Sequence, residues 1–205
     1  MYIKLLSISF LLVATATAVA TEGKAKKLDD FIESYAENRE FNGSALISYK
    51  DNVLLEKGYG YANMEWKIPN SVDTKFRIAS TTKPFTAALV LKLVEEGKIK
   101  LSHPISDYLP DYRSDTGGKV SIHQLLNHTS GIPNVFSHPE FRNIEANNPY
   151  GLDDFISKFC SGDLQFEPGT QFRYSNAGYT ILGKIVEQVS ELSYQQALQK
   201  YIFDP

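Results

Sequence analysis

Cysteine is almost missing from this chain: Cys160 is the only one in 205 residues. A single thiol excludes an internal disulfide. No neighbouring feature activates it, so Cys160 reads as a small buried hydrophobe and not as a nucleophile. An excess of positive charge is missing too. The chain has 21 Lys and Arg against 24 Asp and Glu, a formal net charge of -3. That balance argues against a nucleic-acid partner. There is no internal repeat and no low-complexity tract. Past the N-terminus, no apolar run approaches the roughly 20 residues that cross a bilayer.

The N-terminus has its own character. "MYIKLLSISFLLVATATAVA" carries Lys4 near its start, an apolar run from Leu5 to Val13, and Ala18-Val19-Ala20 at its end. This is the pattern of a secretory signal peptide over residues 1–20, which implies export to the periplasm or the exterior. The run is too short, and too broken by Ser and Thr, to anchor the chain stably in a membrane. No cysteine beside the cleavage pattern offers a lipid attachment point. Residues 21–205 are then the mature chain. The whole chain of 205 residues is 42% hydrophobic, enough for one domain with a core.

Periodicity predicts a helix over "AKKLDDFIESYAENRE", where Leu28, Phe31, Ile32 and Tyr35 share a face. "NGSALISYKDNVLLEKGYGYAN" reads as two strands around a turn at Asp51-Asn52. "FRIASTTKPFTAALVLKLVEEGK" is a helix apolar nearly all round, which places it inside a domain, with Gly97 as its stop. Ser102 to Pro168 is loop-rich and punctuated by proline. Ser121 with Gln124, and Ser193 with Gln196, form capping boxes that start two helices. Between them a helix from Ala177 aligns Ile181, Leu182, Ile185, Val186 and Val189. A hairpin followed almost only by helices gives an α+β class.

Ser80 and Lys83 stand at the start of the apolar helix, three residues apart and so on one face. A serine needs a base to become a nucleophile. Lysine titrates near 10.4, but burial in the helix body disfavours the ammonium and would bring it into range. The N–H of Ser80, at a helix start, can help hold an oxyanion. Serine and lysine at this spacing arise about once by chance in a chain this long. The bland alternative is an N-cap serine and a solvated lysine. Lysine, however, opposes the dipole of a first turn.

A second constellation is Tyr174-Ser175-Asn176, just before a helix. A phenol can pass a proton between a serine and a leaving group. An asparagine amide can both donate to and accept from an amide-like substrate. Tyr61-Ala62-Asn63 matches the same pattern in the hairpin and reads as structural. Glu167, before Pro168-Gly169, reads as a turn residue.

Ser80-x-x-Lys83 followed by Tyr174-Ser175-Asn176 resembles the serine beta-lactamase and D-alanyl-D-alanine carboxypeptidase superfamily, in its class C beta-lactamase, DD-peptidase and esterase branch. The likeness extends through "GYGYANMEWKIPN", "DTKFRIASTTKPFTA", "LVEEGKIKLSHPISDYLPDY", "IHQLLNHTSGIP" and "FEPGTQFRYSNAGYTILGKIVE". It implies that Ser80 is acylated, that Lys83 and Tyr174 move its proton, and that Asn176 binds the substrate amide. His128 falls in a structural turn of that family and reads as a scaffold residue. The implied activity is acyl transfer to water from a beta-lactam, a D-Ala-D-Ala-type peptide or a small ester, with no metal or organic cofactor. A non-catalytic sensor or an inactive remnant is the alternative.

The family's third motif, Lys or His, a small residue and Gly, does not occur after Asn176. By that standard the chain reads as C-terminally truncated, with the remaining sheet strands missing, and is expected to turn over little or no substrate as it stands. The strand "GSALISYK" is then expected to show an open edge. The first helix is expected to leave Leu28, Phe31, Ile32 and Tyr35 unusually exposed.

Overall fold

In a computed structural model, residues 23–143 and 149–204 are described. The expected signal peptide, residues 1–20, lies outside them. They form two compact units that divide between Arg77 and Ile78.

The first unit holds helix α1 (residues 23–37) and four strands: β1 (Gly43–Tyr49), β2 (Asn52–Tyr59), β3 (Tyr61–Asn63) and β4 (Ile68–Pro69). β1 and β2 pair antiparallel, with a bulge after Ile47. The turn sits one residue earlier than the sequence suggests. Lys50 and Asp51 both take positive φ, 48° and 64°, the backbone of a tight hairpin turn that matches strand twist. The second strand also ends earlier. Gly60 turns at φ 67°, so Tyr61–Asn63 leaves the hairpin and pairs with β4.

An ionic cluster fixes α1 to β2. Lys57 Nζ donates to Asp29 Oδ1 and Glu33 Oε2, each at 2.8 Å, and Tyr59 Oη donates to Asp29 Oδ1 at 2.8 Å. Burial, then the Asp29 carboxylate, pushes the Tyr59 phenol up to about 12. Leu28 and Ile32 are half-buried, while Phe31 and Tyr35 remain open at 61% and 43% exposure. Leu46, Tyr49 and Val53 of the hairpin are exposed too. Among the described residues, β1 pairs only with β2. The open edge expected of this region is therefore present and Phe31 and Tyr35 are uncovered as expected, but Leu28 and Ile32, expected to be exposed with them, are half-buried.

The second unit is helical. A 3₁₀ turn, Ala79–Thr81, leads into α2 (Thr82–Glu95). The helix thus starts later than its apolar pattern suggests, and Ser80 lies in the turn before it. Gly97, at φ 71°, ends the helix by donating to Val94 O. Shorter helices follow: α3 (Ser114–Gly117), α4 (Ile122–Leu126), α5 (Pro139–Asn143) and α6 (Leu152–Phe159). Then come α7 (Asn176–Ser190), α8 (Tyr194–Leu198) and a π-helical turn, Gln199–Phe203. Both capping boxes form as expected, at Ser121 and Ser193. α6 runs through the stretch expected to be loop.

α7 is the axis of this unit. Ala177, Ile181, Leu182, Ile185 and Val186 are fully buried. α2, α4, α6 and α8 all pack on α7. α2 contributes Leu89, Val90 and Leu93 to the same core. α2 is not buried all round, however: Leu91 is exposed on its other side. Cys160 is fully buried, and burial pushes its thiol up to about 12. That makes it inert as a nucleophile.

Leu182→Ala would leave a cavity on the most enclosed face of α7. The expected loss is about 2–5 kcal/mol, read as a lower denaturant midpoint in urea unfolding followed by circular dichroism.

Candidate active site

The start of α2 and the start of α7 come together. They bring all four predicted residues, Ser80, Lys83, Tyr174 and Asn176, into one hydrogen-bonded group. Ser80 Oγ lies 2.7 Å from Tyr174 Oη. Lys83 Nζ donates to Ser80 Oγ at 3.3 Å and to Asn176 Oδ1 at 2.7 Å. The helical spacing of Ser80 and Lys83 explains their meeting. Tyr174 arrives from the extended segment that enters α7.

Lys83 is not enclosed by the apolar helix body, as the sequence suggests. It is half-buried. Its ammonium lies over the rings of Tyr174 and Tyr179, 4.9 and 5.5 Å from their centroids. Such faces attract a cation.

Tyr174 is the perturbed phenol. Burial pushes it up, but the neighbouring Lys83 ammonium and the Ser80 hydroxyl pull harder, and the net position is below the ordinary tyrosine value. Tyr179, one turn into α7, is held above that value by burial and by Tyr174. Two adjacent tyrosines are therefore pushed apart.

Ser80 is exposed. The residue before it, Ala79, has φ 46°. A side-chain-bearing residue seldom takes that conformation, and strain of this kind gathers at functional turns.

Three residues that the sequence reasoning did not assign to the site also shape it. Asn134 Oδ1 accepts from Asn176 Nδ2 at 3.2 Å. Since Lys83 can only donate, Asn176 must turn its oxygen to Lys83 and its nitrogen to Asn134. One N–H of the Asn176 amide is left over. Ser175, buried in the middle of the motif, caps α7 by accepting from Gly178 N–H and donates to Pro133 O. His128 packs its ring on Tyr174, with centroids 4.4 Å apart. Of the three, only His128 was singled out in sequence, as a scaffold residue in the turn of "IHQLLNHTSGIP".

That stretch is laced to the segment entering α7. Arg173 N–H donates to His128 O at 2.8 Å, Gly169 N–H to Thr129 O at 2.8 Å, and Gln165 N–H to Gly131 O at 2.9 Å. Gly131 has φ 77°, and a Cβ there would stand 2.5 Å from Phe166 O. Glu167 closes a turn, accepting from Thr170 N–H and hydroxyl. Tyr61-Ala62-Asn63, the other match to the tyrosine pattern, lies in the first unit as β3.

A serine, an amine and a phenol in mutual contact define a site for proton-coupled chemistry at a hydroxyl. Residues 28–205 match the Beta-lactamase family, and the chain belongs to it. It is 32% identical over 189 residues to Protein flp of Staphylococcus aureus strain MW2, covering 90% of this chain and 37% of that protein. It is 33% identical over 188 residues to Penicillin-binding protein 4* of Bacillus subtilis strain 168, covering 90% and 40%. A solved penicillin binding protein from Bacillus halodurans shares 34% identity with a TM-score of 0.71, covering 83% of this chain and 52% of that one. The α+β fold is thus that of the beta-lactamase and penicillin-binding proteins. The chain spans well under half the length of the curated relatives it matches.

An ultraviolet titration of phenolate absorbance checks the electrostatics. A tyrosine should ionise below the ordinary value of about 10, and this first step should vanish in Tyr174→Phe. Lys83→Met removes the cation and should move the step to higher pH.

Proposed function

We propose that the protein is a serine hydrolase of the penicillin-recognising type, acting through an acyl ester on Ser80. The observation that carries this is the 2.7 Å contact between Ser80 Oγ and Tyr174 Oη beside the Lys83 ammonium. Family membership supports the reaction class, and the names of relatives that are penicillin-binding proteins support the substrate class.

Ser80 Oγ adds to the carbonyl of a beta-lactam, a D-Ala-D-Ala-type peptide or a small ester. Its proton passes to the oxygen of Tyr174 in the ionised form that Lys83 favours. Tyr174 then returns the proton to the leaving nitrogen or oxygen. Water adds to the ester by the same relay reversed, and Ser80 regains its proton. Tyr174 suits this work because a phenol lowered towards neutrality is a better match to the reaction pH. The N–H of Ser80 supports the developing oxyanion. Asn176 holds Lys83 in place and offers its remaining N–H to the substrate amide. The reading of residues 1–20 as a signal supports action outside the cytoplasm.

A fluorescent penicillin or an activated phosphonate should label Ser80, located by peptide mass spectrometry, and Ser80→Ala should take no label. Lys83→Ala and Tyr174→Phe should each slow labelling by roughly a hundredfold while circular dichroism stays unchanged. A label on another serine that persists in Ser80→Ala overturns the assignment. Labelling without turnover would mark an acylated sensor, not a hydrolase.

A further inference from the structure

The two backbone N–H groups flanking Tyr174 both end on one residue. Arg173 N–H donates to His128 O at 2.8 Å, and Ser175 N–H donates to His128 Nδ1 at 3.2 Å. The second bond puts a side-chain nitrogen where a strand would put a carbonyl. Between these two bonds, the imidazole stacks on the Tyr174 ring at 4.4 Å and 35°.

The imidazole is itself held. Tyr179 lies 5.1 Å from it at 37°, and Phe172 meets it edge-on at 6.0 Å. Tyr179 is fixed in turn by donating to Leu126 O at 2.9 Å. His128 has φ 60°, a conformation few residues with a β-carbon adopt, histidine and asparagine more than most.

We propose that His128 is a positioning residue: its neutral imidazole, with the proton on Nε2, holds Tyr174 against Ser80, and protonating that imidazole releases the Tyr174–Asn176 segment. The proposal rests on Tyr174 being the proton relay of the reading above. Nδ1 accepts from Ser175 N–H only while it carries no proton. In the imidazolium both ring nitrogens are donors, and two N–H groups would then face each other at 3.2 Å. Tyr174 Oη reaches Ser80 Oγ from the same segment, and proton transfer needs that contact within hydrogen-bond reach.

The groups facing His128 are Lys83 from α2, Tyr174 from the entering segment and Tyr179 from α7. Burial first, then the Lys83 charge, holds the imidazole below the ordinary histidine value. The aromatic faces attract a cation but do not reverse that direction. Folding therefore favours the neutral ring. This stability is fully present above the unfolded histidine value near 6.5 and is lost as pH falls through the lower folded value.

The test follows labelling rate by a fluorescent penicillin against pH in the full chain. The wild-type rate should fall by a one-proton step below about pH 6.5. His128→Asn keeps an acceptor near Nδ1 and suits the left-handed backbone. It should label within about tenfold of wild type at neutral pH and lose that step. His128→Phe keeps an aromatic face without an acceptor and should label about tenfold or more slowly at every pH. An unchanged acid step in His128→Asn overturns the proposal, as does a wild-type rate in His128→Phe.

Nuclear magnetic resonance gives a reading that needs no substrate. His128 should carry its proton on Nε2, and the Ser175 amide should shift with the His128 titration. A proton on Nδ1, or a Ser175 amide indifferent to that titration, overturns the proposal. If no variant or wild type labels at Ser80, the hydrolase reading fails, and the resonance result alone decides the role of His128.

Discussion

The packing of α2 on α7 is the constraint from which the site follows. Ser80 and Lys83 stand at the start of α2, Tyr174 and Asn176 at the start of α7, and each helix buries a stripe of aliphatic side chains in one common core. Once those stripes meet, the two helix starts meet as well. Ser80 and Lys83 then face Tyr174 and Asn176 across a gap closed by hydrogen bonds of 2.7–3.3 Å. No loop needs to be ordered for the serine to find the lysine, because the 3₁₀ turn that holds Ser80 runs directly into the first turn of α2, which holds Lys83. The tyrosine is different. It lies outside α7, and its position depends on what holds the extended segment that leads into the helix.

Electrostatics in the group run in a consistent direction. The Lys83 ammonium finds one carbonyl-type acceptor, one hydroxyl and two aromatic faces. It reaches outward in effect, drawing the Tyr174 phenol below its ordinary value against the opposing effect of burial, and adding to the burial that holds the His128 imidazole below its own. Asn134 completes the arrangement by accepting from the Asn176 nitrogen once its oxygen has turned to the amine. The amine is thus oriented by polar contacts rather than by apolar enclosure.

Much of this was legible in the sequence, and what was not has physical reasons. The capping boxes at Ser121 and Ser193 are local, four-residue facts, and they formed as read. The stripe of α7 is long and strongly periodic, and it is the buried axis. The four site residues were legible because two short spacings carry them. Asn134 was not, since it acts through a contact that bridges more than 40 residues of sequence; His128 was legible as a scaffold residue, but its bond to Ser175 N–H, over a similar span, was not. The hairpin turn was misplaced by one residue because Lys50 and Asp51 take left-handed backbone without a glycine to mark it. α6 went unread within a stretch rich in proline, and the exposure of Leu91 was hidden by an α2 that looks apolar on all sides.

Gly131 carries a consequence for how such a protein can vary. A side chain there would collide with the backbone of Phe166 and would also oppose a φ of 77°. The hydrogen bonds on either side, from Gln165 N–H to Gly131 O and from Arg173 N–H to His128 O, would transmit the displacement to Tyr174. A substitution at a glycine with no chemistry of its own would then disturb the candidate site as a change at Tyr174 itself would. Genetic drift in this turn is limited by the geometry of a tyrosine 43 positions downstream.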